Sequence, residues 1–150
     1  MSKNLTKITI LVLLAAITYA CKTITPVTNA LYVGEREGTI TLRSEGVDDT
    51  EEKSQIAAEQ NAFNTLLFRG IPGSSQKVPL IDFDETGIKS RYHSYFNEFF
   101  GKQRRYRTFV TQSQIAGEAS KRLVTVEITI NLRALRSDLE QNGILRKFGY

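Results

Sequence analysis

Hydrophobic and polar positions change period several times along this 150-residue chain, and each change predicts an element. The first feature is a block without a period: Ile8 to Ala20 is a 13-residue apolar run, preceded by Lys3 and Lys7 and closed by Cys21. From Lys22 to Glu37 the chain is Thr-rich, holds Pro26 and shows no periodicity before Leu31-Tyr32-Val33, which reads as a tether ending in an edge strand. In "GTITLRSEG" Ile40 and Leu42 alternate with Thr39, Thr41 and Arg43, as a half-buried strand requires, and Gly46 breaks the run. Helical spacing follows. Ile56, Ala58, Ala62, Phe63, Leu66 and Leu67 share one face and predict a helix over residues 50–69. Asp49 stands as its cap three residues before Glu52, and Gly70 closes it.

After the Gly/Pro/Ser connection "GIPGSSQKVP", Tyr92, Tyr95, Phe96, Phe99 and Phe100 stand at i, i+3, i+4, i+7 and i+8, an aromatic-faced helix ending at Gly101. Two strands follow, "YRTFVTQSQI" and "RLVTVEITINL", joined around "AGEASK". In the second, Val124, Val126, Ile128, Ile130 and Leu132 alternate with polar residues over nine positions, which marks the central strand. Last comes a helix capped by Asn131, striped by Leu132, Leu135 and Leu139 and stopped by Gly143. Strand, helix, aromatic helix, strand, strand, helix is an α+β order: a small, mainly antiparallel sheet with helices packed on one face. The division it predicts is a leader over 1–20, a tether over 21–37 and one domain over 38–150.

The leading block has the parts of a secretory signal: a positive start, an apolar centre and a small residue, Ala20, at the cut. It falls short of the roughly 20 apolar residues that span a bilayer. Cys21 is the chain's one cysteine, so no intramolecular disulfide is possible. Thr18-Tyr19-Ala20-Cys21 resembles a bacterial lipobox, with Thr18 where an aliphatic residue is usual. That resemblance implies cleavage before Cys21, a diacylglycerol on its thiol and membrane attachment through two acyl chains, whereas an ordinary secretory leader would leave a free thiol. Lys22, not Asp, follows the cysteine, which by resemblance to bacterial sorting implies the outer membrane and its periplasmic face. Residues 21–150 carry 18 basic and 16 acidic side chains, so half of the chain's net charge of +4 leaves with the leader.

Reactive chemistry is sparsely supplied. Asp82-x-Asp84-x-Thr86 in "PLIDFDETG" resembles the nucleophile loop of haloacid-dehalogenase-type phosphotransferases, but Pro79 interrupts the preceding run and no repeated βαβ pattern surrounds it. The same residues begin like a calcium loop, yet the twelfth position, which needs a bidentate Glu, is His93. An acidic loop is the expectation. His93 is the chain's one histidine, so neither a multi-histidine zinc set nor a Cys/His nucleophilic pair beside an acylated Cys21 can be assembled. The reading is of a non-enzyme without cofactor or metal. "GKQRRYRTF" interleaves Lys102, Arg104, Arg105 and Arg107 with aromatics, a pattern able to grip phosphates. For an exported protein, headgroup phosphates or an acidic protein patch suit it better than nucleic acid.

Candidate docking residues fall in two places: Tyr92, Tyr95 and Arg105 in and after the aromatic segment, and Ile144, Leu145 and Phe148 beyond the stop at Gly143. Apolar side chains placed there either fold back on the core or dock elsewhere. "GTITLRSEG", "AAEQNAFNTLLFRGI" and the strand feeding "LRALRSDLEQNGI" resemble small envelope lipoproteins, including the flagellar assembly lipoprotein-like family, on Gly46, Ala58, Ala62 and Val124 to Leu132. Residues 71–101 are an insertion against that pattern. The lipobox-like segment, "LLFRGIPGS" and "RKFGY" also resemble lipoproteins of the Bacteroidetes type VI secretion trans-envelope complex. These resemblances imply a structural component that pins a secretion assembly to the outer membrane, oligomerising within it. A periplasmic ligand- or glycan-binding module is the alternative.

Overall fold

The computed structural model describes residues 30–102, 106–118 and 121–146. Cys21, Arg105 and Phe148, with the whole leader, lie outside the described residues. The elements run β1 (Leu31–Arg36), β2 (Thr39–Asp48), α1 (Glu51–Phe68), α2 (Glu85–Arg91), α3 (His93–Lys102), β3 (Arg107–Glu118), β4 (Lys121–Asn131) and α4 (Leu132–Gln141). The strands form one antiparallel sheet in the order β1-β2-β4-β3. The fold is α+β, as the hydrophobic pattern predicts.

One face of the sheet holds the core. Ile40 and Leu42 of β2 and Ile128 and Ile130 of β4 are fully buried with Phe63, Leu66 and Leu67 of α1, Phe99 of α3, and Leu135 and Leu139 of α4. On the opposite face, registered cross-strand pairs are polar: Thr41 bonds Thr129 at 2.9 Å, and Arg43 is paired with Glu127. Such a division of faces is what period-two alternation encodes.

α1 lies close on the strands. Gly46 stands inside β2 and does not break it: a Cβ there would sit 2.1 Å from the Ser54 carbonyl oxygen and 2.3 Å from the Ala58 nitrogen. The helix is capped by Thr50, whose side chain accepts from the Lys53 N–H, one residue later than the expected Asp49. Ser54 Oγ accepts the Asp48 N–H at 2.8 Å and lies 2.7 Å from the Arg122 carbonyl, so one hydroxyl joins helix, β2 and β4. At the far end the carbonyls of Leu66 and Leu67 accept from the N–H groups of Leu80 and Ile81, which satisfies acceptors that a helix terminus leaves open.

Residues 71–101 are part of this core. Ile71, Leu80, Ile81, Ile88, Phe96 and Phe99 are all buried, so the segment read as an insertion supplies a large share of the apolar packing. The aromatic pattern is divided between two helices, with Tyr92 as the junction (φ −111°, ψ 37°). Asp84 caps α2 by accepting the Gly87 N–H at 2.6 Å, which accounts for one of the two loop carboxylates. The β3–β4 hairpin is tighter than "AGEASK" suggests, for pairing continues to Glu118 and Lys121.

β1 belongs to the sheet, so the fold begins ahead of the expected boundary at residue 38. Ala30 is 4% exposed and donates its N–H to Thr65 Oγ1 at 3.1 Å. β1 and β2 join through Glu37 and Gly38, both at positive φ (50° and 82°), as the two-residue turns that match strand twist require.

Candidate functional site

The residues proposed for docking are largely occupied within the fold. Tyr92 and Tyr95 are half-buried, and their hydroxyls reach across to the last helix and its stop: Tyr92 donates to the Gly143 carbonyl at 3.0 Å and Tyr95 to Asp138 Oδ2 at 2.6 Å. Ile144 is 3% exposed within the core, and Leu145 packs partly buried beside it. A Gly-type helix stop directs them inward, since Gly143 is at φ 70° and the N–H groups of Ile144 and Leu145 both turn back to the Leu139 carbonyl. The tail through Leu145 therefore folds back, and these four residues form no free docking face.

Asp82 is exposed and Asp84 serves its helix. Among the described residues no group of three or more His, Cys, Asp or Glu side chains is placed to hold a metal ion. His93 is exposed, with a ring nitrogen 3.1 Å from Asn97 Nδ2. Lys89 is engaged on three sides: its ammonium lies 2.7 Å from Glu85 Oε1, 3.1 Å from Asn64 Oδ1 and 4.8 Å from the centroid of the Phe68 ring. One cavity of about 190 Å³ opens between Phe83, Asp84, Ile88 and Arg91. Another of about 210 Å³ is lined by Tyr95, Glu98, Phe99, Asp138 and Asn142.

What the molecule does leave open is the first strand. Leu31 is 57% exposed, Tyr32 36% and Val33 43%, and they make up three of the five large apolar residues exposed among those described, with Val78 and Phe83. They sit on the sheet's edge, directly after the buried anchor point at Ala30. Pairing with β2 slips at Val33, because Tyr32 faces Leu42 while Gly34 already faces Thr41. Such a bulge spoils the regular ladder that a further strand would need. Beyond it the strand turns charged, and Glu35 accepts from the backbone N–H and hydroxyl of Ser75.

In the sequence "LYV" reads as an edge strand and carries no mark of a surface. Its signal was an apolar triplet without alternation, next to the tether. No described helix is long and apolar enough to cross a membrane. The chain matches no family model, no curated protein and no solved structure.

Proposed function

We propose that this protein is a lipid-anchored, non-catalytic structural lipoprotein that pins a multiprotein envelope assembly, of the secretion type its segments resemble, to the periplasmic face of the outer membrane. The observation that carries this reading is the short link between anchor and fold. Only nine peptide links separate Cys21 from Ala30, a contour of at most about 30 Å. Ala30 is in turn fixed to Thr65 of α1, and β1 is laddered to β2. A load applied at the acylated cysteine passes directly into the sheet and α1. This is the build of a bracket.

The test is Cys21→Ser in the native host. It should abolish incorporation of a fatty-acid analogue, leave the domain either soluble or unprocessed with its leader attached, and remove the envelope proteins that co-purify with the wild type in detergent. A mature-length Cys21→Ser protein that stays in the membrane would refute the anchor. A wild type that extracts alone would refute the assembly role. The cavity of about 210 Å³ beside Tyr95, Glu98, Asp138 and Asn142 favours the second reading, a small polar ligand or single sugar unit, and saturable binding of a monosaccharide lost in Asn142→Ala would support it.

A further inference from the structure

We infer that the β1 edge, through Leu31, Tyr32 and Val33, rests on the bilayer at the boundary between headgroups and acyl chains, so that the domain is held in one orientation on its membrane. This deepens the anchor reading and rests on it.

Three observations converge. First, the link from Cys21 reaches at most about 30 Å, so Ala30 stays within that distance of the bilayer, and the exposed residues that directly follow it are Leu31, Tyr32 and Val33. Second, those residues have the chemistry of an interfacial contact: two aliphatic side chains flank a tyrosine, whose ring suits the acyl boundary and whose hydroxyl suits the headgroups. Third, the edge is poorly made for a protein strand. The bulge at Val33 breaks the register, and Glu35, Arg36 and Glu37 follow at once. Headgroups make no demand on register, and their polar atoms and water satisfy outward-facing backbone groups that hydrocarbon would leave bare.

Because Cys21 is the chain's one cysteine and is acylated in the mature protein, a second cysteine can be labelled uniquely. The lipidated Val33→Cys protein, carrying an environment-sensitive NBD fluorophore, is reconstituted into phosphatidylethanolamine–phosphatidylglycerol vesicles with or without nitroxide lipids. Gln141→Cys, at the exposed end of α4, is the reference. The expected result is a Val33 label quenched several-fold more strongly by nitroxide lipid than the Gln141 label, and shielded from aqueous iodide. Equal quenching of the two labels on protein that floats with the vesicles overturns the inference and leaves the anchor intact. A Val33 label shielded from iodide but not reached by nitroxide lipid also overturns it, in favour of a protein occupant. Protein that fails to float refutes the anchor reading and this inference together. Leu31→Glu combined with Val33→Glu should keep flotation, which the acyl chains supply, while a label at Tyr32→Cys in that background loses its lipid quenching.

Discussion

At Gly46 the backbone of β2 and the backbone of α1 approach closely enough that a single methyl group has nowhere to go. The atoms in its way are the Ser54 carbonyl oxygen at 2.1 Å and the Ala58 nitrogen at 2.3 Å, both in the helix main chain, which cannot swing aside as a side chain would. Gly46→Ala must therefore lift α1 off the strands, at a cost of about 3 kcal/mol, the upper range for overpacking. For a domain of this size that lowers the melting temperature by roughly 10 °C. Gly34→Ala, where nothing lies within 4 Å of the new methyl, should leave thermal unfolding unchanged. Circular dichroism melts of the two variants separate a steric requirement from a general dislike of losing glycine. The same residue shows what a sequence conceals. Within "LRSEG" a glycine reads as the end of a strand, because the helix that needs its missing side chain lies eight to twelve positions further on and its closeness is a tertiary fact.

Among the elements, those with long unbroken periods were legible. β4 shows its buried face at every second residue from Val124 to Ile130, and α4 announces both its Asn131 cap and its Gly143 stop. α2 was missed because seven residues with a single buried side chain, Ile88, make no pattern. The tail after α4 could not be decided from composition, since apolar residues beyond a stop suit either a core or a partner. Its burial now fixes the expectation. Ile144→Ala removes a side chain only 3% exposed and should cost about 2–4 kcal/mol, as large-to-small core substitutions do. Deleting residues 144–150 should lower the melting temperature of the domain by at least as much. An unchanged melting curve for either variant would mean that the fold-back contributes nothing and that the tail is free to dock.

For the whole molecule, the proposed anchor makes the distance between membrane and fold the decisive quantity. The candidate surface at Leu31 to Val33 is legible in the sequence as an edge strand; the exposure of all three side chains is not, because it depends on how the rest of the chain packs and has no local signature. If the domain is a bracket, its height above the bilayer is part of its function. Inserting a flexible Gly/Ser segment of about 20 residues between Thr25 and Pro26 would add an average span of roughly 25 Å without touching any described element, of which β1 is the first. The lengthened protein should be acylated and fractionate with the membrane as the wild type does, and its melting temperature should be unchanged. Co-purification of its envelope partners should nevertheless fall several-fold, because the assembly would have to find its bracket over a larger volume and in any orientation. Full assembly with the long tether would show that attachment alone suffices and that the short link has no positional role. Loss of assembly together with a lowered melting temperature would mean instead that the residues before Ala30 belong to the folded domain, and the bracket would then have to be redrawn from Cys21 inward.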